Sequence, residues 1–179
     1  MTPSVTEVLT EVGLIDTRWF NEEARDRGSR VHKVCQLWDE RDLDSTTVDD
    51  SIIGYLDAYK KFLIDFAPVT WPPGGIECPG TDFNGQYHGT FDRLGLVQGD
   101  IATLLDIKTG APAPWHAIQT AAYVGLLPKA KTWRLQRMAL YLSGDGTYKS
   151  VIHPLITLLR DTAVFTAALT LYRWRHYGS

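Results

Sequence analysis

Cysteine is scarce in this sequence: there are two, Cys35 and Cys78, in 179 residues, and no Cys-x-x-Cys spacing. Two thiols cannot build a disulfide framework, and they suit a reducing interior. Positive charge is short as well. A formal net charge of -3 and a pI near 5.9 exclude a globally basic nucleic-acid binder, so any phosphate backbone must be met by a local patch. Long apolar runs are missing: Val164–Tyr172 falls far below the ~20 residues that span a bilayer. The start, Met1-Thr2-Pro3-Ser4, lacks the basic-then-apolar order of an export signal. A cytoplasmic protein with no membrane partner is therefore expected. Internal repeats, low-complexity linkers, a Gly-rich phosphate loop, helicase motifs, a base-reading helix and a zinc module are absent too, which argues against strand separation and sequence-specific reading by this chain.

The length suits one domain over residues 1–179, enough to bury roughly two thirds of the unfolded surface. Ser4-Val5-Thr6-Glu7 reads as a capped start to a short helix that stops at Gly13. A second helical stretch runs from Thr17 to Glu40, with Gly28 as a break or a close contact. From Val48 to Phe66, apolar residues recur at three and four, the pattern of an amphipathic helix. After the turn at Trp71-Pro72-Pro73-Gly74-Gly75, short strands are expected at Ile76–Cys78, Gln86–Leu94 and Ile101–Lys108. Pro112 and Pro114 open a helix to about Gly125, Trp133–Leu142 and Tyr148–Ile152 form a hairpin, and a helix from Pro154 to about Tyr172 closes the chain. This order predicts an α/β fold with a mixed central sheet flanked by helices.

Chemistry concentrates at two strand ends. In Leu104-Leu105-Asp106-Ile107-Lys108-Thr109-Gly110, alternation sends Asp106 and Lys108 to one face, ~7 Å apart along the strand. Asp92, in Gly89-Thr90-Phe91-Asp92-Arg93, lies on the preceding strand, and a hairpin would bring it beside Asp106. Two carboxylates held that close repel, and a hard divalent cation relieves the repulsion. Such a trio can hydrolyse a phosphodiester, with Mg²⁺ or Mn²⁺, one or two ions, as cofactor. An Asp-x-Lys at a strand end is also what a solvated salt bridge looks like. This one is the sole Asp/Glu-x-Lys in the chain, and it ends an apolar strand.

The ordered set Gly28-Ser29-Arg30-Val31-His32, Gly89-Thr90-Phe91-Asp92, Asp106-Ile107-Lys108-Thr109-Gly110 and Gln119-Thr120-Ala121-Ala122-Tyr123 resembles the PD-(D/E)XK nuclease superfamily. Within it, the branch of the RecB nuclease domain and the lambda-type phage exonucleases is most similar. The resemblance implies a restriction-endonuclease-like core. It also implies metal ligation by His32, Asp92, Asp106 and the Ile107 backbone carbonyl, a Lys108 that orients or activates the attacking water, and substrate contact or metal support from Gln119 and Tyr123. Glu77 is a further possible acid of the site. Some relatives hold an iron–sulfur cluster with four cysteines; two cysteines make that cluster unexpected here. The implied activity is a metal-dependent DNA exonuclease acting on ends in phage-type recombination or end processing. The alternatives are a structure-selective endonuclease of the same fold and a catalytically silent nucleic-acid-binding module. A single-strand annealing protein and a homo-oligomer are the further partners the resemblance implies.

For DNA contact, Arg30, Lys33, Arg93, Lys129, Lys131, Arg134 and Arg137 form a candidate phosphate-tracking set, and Trp115 is a candidate base-stacking ring. A solvated sheet face and ordinary packing account for the same residues. His88 and His116 lie near the trio in sequence and are left outside the site.

Overall fold

Strand β3 (Ile101–Lys108) is the axis of the fold: Thr103 to Ile107 are buried in succession, as expected of a strand covered on both faces. The computed structural model describes residues 2–16, 22–128 and 135–178. Five strands, β1 (Ile76–Thr81), β2 (His88–Val97), β3, β4 (Gln136–Leu142) and β5 (Tyr148–His153), lie side by side in chain order. Neighbours are antiparallel except β3 and β4, which are parallel and joined through a helix. The result is a mixed α/β sheet flanked by helices, consistent with a restriction-endonuclease-like core.

Alternation along β3 divides the core. Leu105 and Ile107 join Met138 and Leu140 beneath α2 (Glu22–Asp39) and α3 (Asp50–Asp65). Leu104 faces the opposite layer, beneath α1 (Val5–Glu11), α4 (Trp115–Val124) and α5 (Leu158–Tyr177). The α3 stripe Ile52, Leu56, Tyr59 and Phe62 is buried at the spacing of one helical face. Helix α1 starts with the reciprocal capping box of Ser4 and Glu7. Gly54 of α3 lies against the β4–β5 turn so closely that a Cβ there would stand 1.8 Å from the Gly144 carbonyl oxygen.

Several boundaries differ from expectation. Gly28 neither breaks α2 nor marks a tight approach: Thr109 Oγ1 lies 3.5 Å from where a Cβ would be, an ordinary van der Waals distance. The expected helix start at Thr17 and strand start at Trp133 lie outside the described residues. β1 runs on to Thr81, and α4 begins at Trp115, after both prolines. The last helix reaches Tyr177. With its lead-in, Leu155–Tyr177 is long and apolar enough to cross a membrane by length and composition alone, more than Val164–Tyr172 implied. Its Phe165, Ala168, Leu169 and Tyr172 are nonetheless built into the core.

One irregularity of the sheet creates the site. Arg93 is paired on both sides, with Ile76 of β1 and Leu105 of β3. Before Arg93, β2 pairs with β1 and, at His88, bridges Ser4, but no longer with β3; beyond Leu105, β3 pairs with β4 but no longer with β2. The sheet forks there.

Candidate active site

At a fork, backbone donors on the separating strands lose their ladder partners and must find others. The Ile107 N–H of β3 donates to Asp92 Oδ2 at 2.5 Å, so a side chain takes the place of the missing ladder bond. That bond turns the Asp92 carboxylate into the crotch. Its other oxygen, Oδ1, stands 3.0 Å from Nδ1 of His32, which α2 delivers from one layer. Glu77 approaches from β1, its backbone in the left-handed region at φ 47°. Ligand atoms of His32, Glu77 and Asp92 lie within 4.8 Å of one another, the spacing a single cation can share.

Asp106 sits across the fork and faces the other layer. Its Oδ2 is 2.5 Å from Lys108 Nζ, in contact but without hydrogen-bond direction, and that buried oxygen has no hydrogen-bond partner among the described residues. The Lys108 ammonium donates to Gln119 Oε1 at 2.7 Å and lies 5.5 Å from the centre of the Trp115 ring. Gln119 in turn donates to the Tyr123 hydroxyl at 3.0 Å and to Thr6 Oγ1 at 3.4 Å, so α4 and α1 together hold the lysine's partner. Residues four apart on a helix share a face, which is why Gln119 and Tyr123 act together.

Charge is crowded here. Burial pushes the Asp106 carboxyl up, the Lys108 ammonium pulls against it, and the Asp92 charge adds to the rise; the net direction is upward. Glu77 is raised by burial and by Asp92, against the pull of Arg93. Asp92 is lowered: burial opposes ionisation, but His32, Lys108 and the Ile107 amide outweigh it. His32 is raised, because the Asp92 carboxylate overcomes the burial that disfavours its charged form. Buried acids crowded together, with Asp106 and Glu77 pushed toward neutrality, are the situation a divalent cation relieves. The oxygen donors with one imidazole suit Mg²⁺ or Mn²⁺. The residues fit the group.

The structure therefore brings His32, Asp92, Asp106, Ile107, Lys108, Gln119 and Tyr123 to one fork. It groups them differently from the sequence reading: the compact ligand cluster is His32–Glu77–Asp92, while Asp106 is engaged with Lys108. For Ile107 the contact made at the site is through its N–H. Glu77, a secondary candidate in sequence, stands in the cluster.

The candidate DNA contacts change more. Arg93 is fully buried, and its guanidinium bonds Asp39, Glu77 and the Asp92 carbonyl, so it faces away from solvent. Arg137 is buried too, bonded to Asp161, Thr157 and the carbonyls of Ala117 and Pro154. Neither can reach a phosphate. Arg30 pairs with Asp26 and Asp49, and Lys33 with Gln36. Lys129, Lys131 and Arg134 lie outside the described residues. His116 is a core histidine 2.7 Å from the Tyr141 hydroxyl, its pKa lowered to about 3 mainly by burial. Asp39, which sequence reasoning missed, had one signal: an acid on the α2 face that also carries Val31 and Cys35.

No family model matches the chain, and no curated protein matches it. Among solved structures, a protein designated SSO0001 is similar at 16% identity and a TM-score of 0.35, over 91% of this chain and 83% of that one. An alkaline exonuclease from Laribacter hongkongensis, LHK-Exo, is similar at 16% identity and a TM-score of 0.34, over 94% of this chain and 76% of that one. The same exonuclease in complex with dAMP is similar at 15% identity and a TM-score of 0.34, over 99% and 93%.

Proposed function

We propose that the chain is a single-domain, divalent-metal-dependent deoxyribonuclease that hydrolyses phosphodiester bonds at DNA ends, an exonuclease of recombination or end processing. The observation that carries this reading is the fork itself. On one side it holds the ligand cluster His32–Glu77–Asp92, and on the other Asp106 and Lys108, with Lys108 steadied by Gln119. His32, Glu77, Asp92 and Asp106 would hold Mg²⁺ or Mn²⁺. When bound, such a cation lowers the pKa of a coordinated water and withdraws charge from the scissile phosphate.

The chain's own residues do the rest. Lys108 presents a cationic donor to the incoming water or to a non-bridging phosphate oxygen, where it offsets the charge that develops in the transition state. Gln119 fixes the direction of that ammonium, and Tyr123 and Thr6 fix Gln119. The Ile107 N–H keeps the Asp92 carboxylate turned into the fork. Trp115, half-buried beside Lys108, closes one wall.

Labelled linear duplex incubated with Mg²⁺, Mn²⁺ or chelator tests the reading, with Asp106→Ala and Lys108→Ala alongside. Each substitution should lower the rate by roughly 10²–10⁴-fold, the range of a lost proton-handling or charge-stabilising group. Full activity in both variants removes the mechanism. Closed circular substrate separates end-dependent digestion from structure-selective cutting, and absence of cleavage with either metal leaves only a binding role.

A further inference from the structure

We propose that Arg93 is a positioning residue for the metal-ligand cluster: its buried guanidinium, anchored from behind by Asp39, fixes the Glu77 carboxylate in place beside His32 and Asp92. The proposal rests on the nuclease reading of the same site.

The geometry that leads here begins with the backbone. Arg93 is the β2 residue paired on both sides, so it is the last fixed point before the sheet divides. Its side chain enters the layer beneath α2 and α3, where Nε donates to Asp39 Oδ2 at 2.7 Å. The Tyr59 hydroxyl donates to the same oxygen at 2.6 Å and accepts from Trp71 Nε1 at 3.2 Å. The rear of the guanidinium is thus held by two helices and the segment after α3. At its front, Nη1 donates to Glu77 Oε1 at 3.0 Å and to the Asp92 carbonyl at 2.7 Å. One nitrogen ties together the two acids of the cluster, one by side chain and the other by backbone.

Two further observations separate positioning from simple core filling. Glu77 holds a left-handed backbone that a residue with a Cβ rarely adopts, and such outliers persist where the surroundings over-determine them. Arg93 supplies the ion pair that holds the Glu77 side chain there. Moreover, Nη2 of Arg93 is buried without a hydrogen-bond partner among the described residues, so its orientation does not maximise its own bonding. It is directed at Glu77 and Asp92. A planar fork can serve Asp39 and Glu77 at once; a lysine ammonium, a compact point charge, holds the two acids less well.

Mn²⁺ alone, titrated into the full chain and followed by calorimetry and by the paramagnetic resonance of free Mn²⁺, provides the test. Arg93→Lys and Asp39→Asn should each raise the Mn²⁺ dissociation constant about tenfold or more, the range seen when a partner of a metal ligand is lost. The kcat at saturating Mn²⁺ should change far less than the Mn²⁺ concentration required. Arg137→Lys is the control for a merely structural role: it should lower the melting temperature and leave the Mn²⁺ isotherm unchanged. If Arg93→Lys loses its near-ultraviolet circular dichroism, Asp39→Asn decides alone. Binding within twofold of the parent in the folded variants, or equal weakening by Arg137→Lys, overturns the proposal. A parent that binds no Mn²⁺ overturns it as well. A parent that binds Mn²⁺ but degrades no DNA sinks the nuclease reading, while the isotherms still judge Arg93.

Discussion

Arg93 on β2 and Arg137 on β4 are both buried, yet the molecule holds them differently. Both amino nitrogens of Arg137 are bonded: Nη1 reaches the Ala117 carbonyl, and Nη2 reaches Pro154, Thr157 and Asp161. Those partners belong to α4, the turn after β5 and α5, so the arginine clasps one helical layer to the sheet. Arg93 also bonds two carboxylates, but leaves Nη2 without a partner among the described residues and sends its other amino nitrogen toward the fork. A buried charge whose two amino nitrogens are both bonded to the surrounding layer serves the fold. One whose bonds are unevenly met, beside a cluster of acids, is arranged for those acids.

Removing the Asp161 carboxylate should produce the largest effect. Asp161→Ala leaves the Arg137 guanidinium buried among neutral acceptors only, and breaking a buried pair from one side costs about 3–5 kcal/mol. Urea midpoints should show that loss with no change in Mn²⁺ binding. Asp39→Ala should cost less stability, because Arg93 keeps Glu77, and should weaken Mn²⁺ binding. Equal costs with equal metal effects would erase the distinction between the two arginines.

The same two carboxyls should tilt stability with pH in opposite directions. Burial pushes Asp161 up, but hydrogen bonds from Arg137, Arg160 and Thr157 pull harder and hold its pKa below the ordinary value. Its contribution is therefore present above the ordinary carboxylate range and lost as pH falls through the lowered folded value. Asp39 is raised, since burial outweighs Arg93 and Tyr59. Its contribution is present below the ordinary value and lost as pH rises through the raised one. Urea midpoints from about pH 7 to pH 3 should thus fall less steeply in Asp161→Asn and more steeply in Asp39→Asn than in the parent. Slopes that move together contradict the assignment.

What could be read from sequence follows the same division. β3 was legible to its ends as an apolar run closing on Asp-x-Lys, and spacing of two put Asp106 and Lys108 on one face, where the fold brings them into an ion pair that the ~7 Å spacing along the strand did not foretell. Gln119 and Tyr123 were legible as a pair by helical spacing. The direction of Arg93 was not. An arginine after an aspartate near a strand end looks like a surface cation, and only the fork, where pairing changes from one neighbour to the other, turns it inward. Arg137 was hidden for another reason: its ion-pair partner is 24 residues away on α5, and no local pattern announces a contact made by tertiary packing. Glu77 could be suspected as an acid on the right strand, but its place in the cluster depends on a left-handed backbone that a glutamate does not advertise.

The smallest effect should come from Tyr59→Phe, which leaves the aromatic packing of α3 intact and removes a single hydroxyl. Asp39 keeps its bond from Arg93, and Trp71, only half-buried, can turn its N–H to water. The stability loss should be about 0.5–1.5 kcal/mol, the net worth of one hydrogen bond. Mn²⁺ binding should weaken by no more than about twofold, since the anchor behind the guanidinium is loosened rather than lost. A loss of affinity as large as that of Asp39→Asn would instead make the Tyr59 hydroxyl the true anchor. The position of Glu77 would then be set by α3 through Tyr59, and Arg93 would only transmit it.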